Sequence, residues 1–410
     1  MAVHLITVSA SLLQGEGSDE AAQAVAQLCL TRGFPIAGRQ IVGEEEGEIE
    51  ASLRAALERG QLAIVFSGSG GSGGEPVRRA LSRVLGLRLV LNEKILETLQ
   101  GHYARQERAM PRRAERLALV PQGTILLPSA EGEPGFFLES DTAAVALFPL
   151  DPESALALAA TQLFPLVRER LASRLATLVR TLKVVGPDIG EVEERLGEWL
   201  AGRPECAVLC LPQLGEVWVR MTVRGGSAGV AEATLGEVET ILRERLGTDC
   251  YGRDQENLEG VVGRLLSERG LTLAVAESCT GGLVGHRLTE VSGSSRYFER
   301  GIVVYSNEAK MELLGVSRAL LARHGAVSAE CAAAMARGIR GRARTDLGVA
   351  VTGIAGPEGG SEDKPVGTVF LALANADDVR TERRRFRGSR SQNKWLASQS
   401  ALDLIRRHLL

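Results

Sequence analysis

The sequence predicts an α/β protein in three parts. A doubly wound N-terminal domain is followed by a small α+β domain and a C-terminal α/β domain. Two observations carry this. Apolar runs of strand length alternate with amphipathic runs of helix length at both ends of the chain. Between them, from about residue 173, the order becomes strand, helix, two successive strands, helix. The expected domains are 1–168, 173–250 and 257–410, and a chain of 410 residues is long enough to need more than one core.

In the first domain VHLITVS, IAGRQIVG and QLAIVFSG read as strands. DEAAQAVAQLCLTRG, EIEASLRAALERG and PVRRALSRVLG read as the helices between and after them, the last with Pro76 in its first turn. In such a sheet ligands sit at the carboxyl ends of strands, which points to the loops after Val8 and Phe66. LVRERLASRLATLVRTLKVVG carries a helix and then a strand into the middle domain. There DIGEVEERLGEWLAG and VAEATLGEVETILRERLG read as helices, AVLCLP and EVWVRMTVRG as strands. The third domain opens with the helix LEGVVGRLLSERG. Strands LTLAVAE, GIVVYS, DLGVAVTG and GTVFLALA then interleave with helices.

Composition excludes several classes. Hydrophobic residues at 44% and charged residues at 24% describe an ordinary soluble protein. A net charge of −3 argues against a globally basic nucleic-acid binder though not against a local patch, only 4% aromatics leaves few stacking platforms for single strands, and nucleic acid is not the expected partner. No apolar run reaches the roughly 18–20 residues needed to span a membrane, and the N-terminus starts as a strand rather than a signal peptide. The six cysteines form no paired framework, and Cys206 and Cys210 lack partners for a zinc site. They read as reduced packing thiols of a cytoplasmic protein.

Chemistry concentrates in four C-terminal patches: AESCTGG (276–282), SGSSRYFERGIVVYSNEAK (292–310), TGIAGPEGG with SEDKPVGTV (352–369), and FRGSR (386–390). The first sets Ser278 beside Cys279. A thiolate wants a histidine or another cation, a hydroxyl needs a base, and His286 downstream reads as solvated. A lysine serves as base if burial lowers its pKa, and Lys310 closes the second patch. The turn of the first patch opens a helix, whose N–H groups suit an oxyanion or a phosphate; the sequence leaves both open. Glycines 353, 356, 359 and 360 permit close approach of a ligand. Arg383, Arg384 and Arg385 read as a solvated edge strand. No motif here holds a metal.

In order and spacing, the four patches resemble the C-terminal domain of the CinA family over essentially all of residues 257–410. That domain also occurs as a free-standing enzyme, nicotinamide mononucleotide deamidase. The resemblance implies a Ser–Lys dyad in which Ser278 attacks the carboxamide and Lys310 takes its proton. Tyr305 is implied as an active-site tyrosine that relays a proton or orients the dyad. Thr280, Gly281, Gly282, Thr352 and Gly353 are implied to lie against the substrate, and Arg390 to bind its phosphate. The implied reaction converts nicotinamide mononucleotide to nicotinate mononucleotide and ammonia, without metal or cofactor, and recycles a pyridine nucleotide. Cys279 is then a packing residue, and a homodimer is implied.

The order of domains also resembles full-length CinA. Its N-terminal domain is molybdopterin-binding-like and is associated with metal-dependent ADP-ribose pyrophosphatase activity. The stretches LGLRLVLNEKILETLQGHY, ERLALVPQGTILLP, EPGFFLE and LFPLDPESA keep that framework. The acids depart from it. Ser11 stands where the family has a glutamate, and Gly74 and Glu75 fall where it has two aspartates. Leu150 and Asp151 replace a Gly-Pro pair. A magnesium-type ion needs carboxylate oxygens, so these losses argue against a divalent metal and against ADP-ribose hydrolysis in this domain. The middle domain resembles the KH-like domain of CinA, but GPDIG and GGSAG do not match a nucleic-acid-binding GXXG loop. An accessory role in competence or DNA damage, through the first two domains, is the alternative reading.

Overall fold

The computed structural model describes residues 2–410 except 60–61, 69–73, 106, 108, 112–114, 117, 130–133, 140–143, 172–175, 202, 204–205 and 226. The chain forms two compact units, Met1–Val179 with Thr222–Leu235, and Arg180–Met221 with Gly236–Leu410.

The N-terminal sheet contains β1 (Val3–Val8), β2 (Ile36–Val42), β3 (Leu62–Ser67), β6 (Ile125–Leu127), β7 (Gly135–Glu139) and β8 (Ala144–Phe148), in the order β2-β1-β3-β8-β7-β6. A separate two-stranded ribbon pairs β4 (Leu89–Leu91) with β5 (Leu119–Pro121). β1 is parallel to β2 and β3, and β3 to β8, as alternating strands and helices require; β7 and β6 run antiparallel. β1 and β3 are buried at every position, so both sheet faces must be covered. Leu5, Ile64 and Phe66 face one core, with Val25 and Phe164. Ile6, Ala63 and Val65 face the other, with Leu53 and Leu81.

One element was not foreseen: a short helix, Ala10–Leu13, capped by the Ser9 hydroxyl. Ser11 sits in it, 3.1 Å from Ser9 Oγ. The loop after Phe66, expected as a ligand site, lies outside the described residues at 69–73.

The middle domain's sheet is β9 (Ala176–Val185), β10 (Cys206–Gln213), β11 (Glu216–Gly225) and β12 (Cys250–Arg253), ordered β10-β11-β9-β12. β11 buries Val217, Val219, Met221 and Val223 on one face, a period of two. The four residues of β12 carry no pattern long enough to be read from sequence, and pairing with β9 makes them a strand.

The C-terminal sheet is β13 (Leu273–Glu277), β14 (Phe298–Val303), β15 (Leu347–Gly353), β16 (Thr368–Ala374) and β17 (Val379–Arg385), ordered β14-β13-β15-β16-β17. β13 is parallel to both neighbours. The expected alternation with helices fails after β15: β15, β16 and β17 are successive antiparallel strands joined by loops. The GIVVYS run is also corrected. It is not one apolar strand; β14 ends at Val303 and is a largely exposed edge. β17, carrying Arg383, Arg384 and Arg385, is the opposite edge, as expected.

The last helix, Arg390–His408, packs Ala397, Ala401, Leu402 and Ile405 into the core below the sheet. Its outer side meets the middle domain. Trp395 Nε1 donates to Leu214 O (3.2 Å), Gln399 Nε2 to Glu216 Oε1 (2.7 Å), and Arg407 pairs with Asp249. Among the described residues no helix is long and apolar enough to cross a membrane.

Candidate active site

The buried strand β13 delivers Ser278 to its carboxyl end. Ser278 N–H still bonds Val351 O at 2.9 Å, so the register of β15 fixes the residue in place. The chain then leaves the sheet through Gly281 (φ +62) and Gly282 (φ +94). A side chain at such angles is strained by about 1–2 kcal/mol per residue, which is why two glycines stand there.

Lys310 arrives from the other side. Ser306 caps the helix Asn307–Leu314 just after β14, and the inward face of that helix carries Lys310, 1% exposed. Its Nζ lies 3.2 Å from Ser278 Oγ, 2.8 Å from Val304 O and 3.4 Å from Tyr305 O. Burial pushes the Lys310 pKa down, against smaller opposing effects of Cys331, Cys279 and Tyr305. Its place in the first helical turn, at the positive end of the dipole, works in the same direction as burial. Cys279, beside Ser278, packs into the apolar core, and burial pushes its thiol up to about 12. It stays protonated at neutral pH, while Ser278 has a basic neighbour.

The expectation that the helix N-terminus after the turn would take an oxyanion or a phosphate is overturned. Glu277, 1% exposed, turns its carboxylate onto that terminus. It accepts from Gly282 N–H (2.9 Å), Val284 N–H (3.2 Å) and Gly285 N–H (2.8 Å). A buried carboxylate must be matched by donors, and the orphan N–H groups of the helix Leu283–Thr289 are the nearest. The next residue but one after Ser278 is different: Thr280 is fully buried and its hydroxyl has no partner.

The other candidates divide. Tyr305 is 63% exposed, and its hydroxyl accepts from Arg390 Nη2 at 3.1 Å rather than meeting Ser278 or Lys310. Only its carbonyl touches Lys310. Arg390 also donates to Gly356 O (2.8 Å), tying the loop after β15 to Tyr305. The Thr352 hydroxyl is committed to Ala326 O at 2.8 Å. The space beside Gly353 is filled by β16: a Cβ there would lie 2.7 Å from Thr368 O and from Val369 Cγ2. Its lack of a side chain serves the sheet. His286 is exposed near Glu290, as a solvated histidine.

Two residues escaped the sequence reading. Glu277 had a signal, an acid immediately before a turn that opens a helix. Lys394 had one too, a cation four residues after Arg390 in a helix whose first turn holds no acid. A methyl group placed on Gly281 would lie 3.5 Å from Lys394 Nζ, so this ammonium sits over the turn that carries Ser278.

In the N-terminal domain the described positions expected to depart from a metal site are engaged otherwise. Ser11 offers a hydroxyl, and Glu75 is held by Arg79 at 2.8 Å. Asp151 caps the helix Pro152–Leu158 through Ser154 N–H. Among the described residues no cluster of three histidine, cysteine or acidic side chains could hold an ion.

Fold and site together define a three-domain α/β protein with a buried serine–lysine pair at the end of a central strand. Comparison with known proteins places this class. Residues 255–409 match the CinA C-terminal domain, residues 179–252 the KH domain of the damage-inducible protein CinA, and residues 4–169 a molybdopterin binding domain. A CinA-like protein of Syntrophotalea carbinolica is 39% identical over 409 residues, covering 99% of this chain and 98% of its own length. CinA-like proteins of Geobacter metallireducens and Geobacter sulfurreducens are 39% and 38% identical over 411 residues, each covering 100% of both chains. The chain belongs to the CinA family.

Proposed function

We propose that the C-terminal domain hydrolyses the carboxamide of nicotinamide mononucleotide, releasing ammonia and nicotinate mononucleotide. The observation that carries this reading is the Lys310–Ser278 contact. In its ammonium form Lys310 donates to Ser278 Oγ and to the carbonyls of Val304 and Tyr305. With one proton gone, two N–H groups remain for the two carbonyls, and the lone pair is left facing the Ser278 hydroxyl. Burial favours that neutral form.

Ser278 Oγ then attacks the carboxamide carbon while its proton passes to Lys310. The tetrahedral adduct collapses as Lys310 returns the proton to the leaving nitrogen, and the C–N bond breaks to release ammonia. Water attacks the resulting ester with Lys310 again taking a proton; the carboxylate leaves and Ser278 regains its hydrogen. The Thr280 hydroxyl, buried and unpartnered, is a donor within the turn for the developing negative charge. Arg390, exposed beside Tyr305 and Gly356, suits the phosphate end. The N-terminal domain, lacking its acids, takes no part as a metal-dependent pyrophosphatase.

Ammonia release from nicotinamide mononucleotide by the purified chain tests the reading. Full activity in Ser278→Ala would remove the dyad from it. Release of AMP from ADP-ribose with added divalent metal would overturn the assignment of the N-terminal domain.

A further inference from the structure

The overturned helix terminus leaves a question of chemistry. With Glu277 occupying three of the N–H groups behind Ser278, side chains are the charged partners left for an anionic end of the substrate. Lys394 and Arg390 lie four residues apart at the start of the 19-residue helix Arg390–His408, and so share one face. Neither forms an ion pair among the described residues, whereas Arg380 and Arg384 on β17 both pair with Glu382. Arg390 in the first turn opposes the helix dipole, Lys394 follows one turn on, and no acid stands in that first turn to relieve them. A half-buried, unpaired ammonium over the nucleophile's turn is unfavourable alone and favourable beside an anion.

We propose that Lys394 is a substrate-binding residue which, with Arg390, clamps the phosphate monoester of the substrate and so sets its distance from Ser278. This rests on the deamidase reading and adds to it a determinant of selectivity. The enzyme prefers the mononucleotide over the nucleoside because two cations on one helical face wait for the phosphate.

The test compares nicotinamide mononucleotide with nicotinamide riboside, which lacks the phosphate. A charge-assisted contact of this kind predicts that Lys394→Ala lowers kcat/KM for the mononucleotide about ten- to a hundredfold. The preference over the riboside narrows by a similar factor, and Lys394→Arg restores most of it. Equal losses on both substrates, or no loss on either, overturn the clamp. If the wild-type chain releases no ammonia, the deamidase reading falls, and inorganic phosphate becomes the probe. Phosphate then raises the Tm of the wild type but not of Lys394→Ala if the clamp holds, and of both alike or neither if it does not.

Discussion

Lys310 Nζ and Ser278 Oγ stand 3.2 Å apart, and both residues are at least nine-tenths shielded from water. One is fixed at the end of the interior strand β13, the other by the helix that follows the edge strand β14. Ser278→Ala and Lys310→Ala should each lower ammonia release by about 100- to 10,000-fold, the usual worth of a positioned base or its nucleophile. Cys279→Ala should remain within a few-fold of wild type, since its thiol is apolar packing. Initial rates of the three variants, with far-UV circular dichroism to confirm folding, decide this.

The depressed pKa of Lys310 sets the sign of two pH effects. The base works when neutral, so kcat/KM should rise with pH and level off, with a midpoint below the ordinary lysine value of about 10.4. Stability follows the same proton. Between the depressed folded value and about 10.4 the unfolded chain holds a proton that the folded chain does not, so stability rises with pH in that window. Below the window both states are protonated and the burial penalty is constant. Lys310→Met should therefore raise Tm at neutral pH and remove the alkaline rise. A Tm no higher than wild type at neutral pH would contradict it.

Glu277 closes the helix terminus with three hydrogen bonds. Glu277→Gln keeps the shape but loses the charge and aims an NH2 group at N–H donors. We expect a loss of about 1–3 kcal/mol by denaturant titration. A fall in kcat should accompany it, because the turn holding Ser278 loses its anchor. Unchanged stability would mean the terminus finds other acceptors.

Arg287, whose side chain is 5% exposed, donates to Glu259 (2.7 Å), Ser398 (3.0 Å) and Gln399 (2.6 Å) and lies 4.4 Å from the centre of the Trp395 ring. Arg287→Met leaves Glu259 without its partner and should destabilise by about 3–5 kcal/mol. The double variant Arg287→Met with Glu259→Gln should recover part of the loss. Equal destabilisation in both would show that packing, not charge, dominates.

The sequence disclosed strands and helices wherever one period dominated. The fully apolar β1 and β3, the alternating β11 and the Gly270-stopped helix needed no context. The short β12, the helix Ala10–Leu13 and the antiparallel turn of β15 into β16 did not show, because four-residue runs and loop-linked strands carry no period of their own. The Ser278–Lys310 pairing was visible only through resemblance: 32 positions separate the residues, and no rule of spacing joins them. The carboxylate of Glu277 was missed for a different reason. Its neighbours advertise an anion site, and only coordinates reveal that the chain supplies the anion itself.

The helix Arg390–His408 has a consequence for portability. At about 1.5 Å per residue it spans nearly 30 Å, with Arg390 and Lys394 at its start and Arg407 on Asp249 near its end. Cutting the C-terminal domain free of residues 180–253 would leave the indole N–H of Trp395 and Nε2 of Gln399 without their present acceptors, and Arg407 with Asp403 of its own helix in place of the pair with Asp249. A version of this domain built to live alone would have to satisfy Trp395 and Gln399 by other means. Here the rod that carries Arg390 and Lys394 is also the seat of the domain beside it.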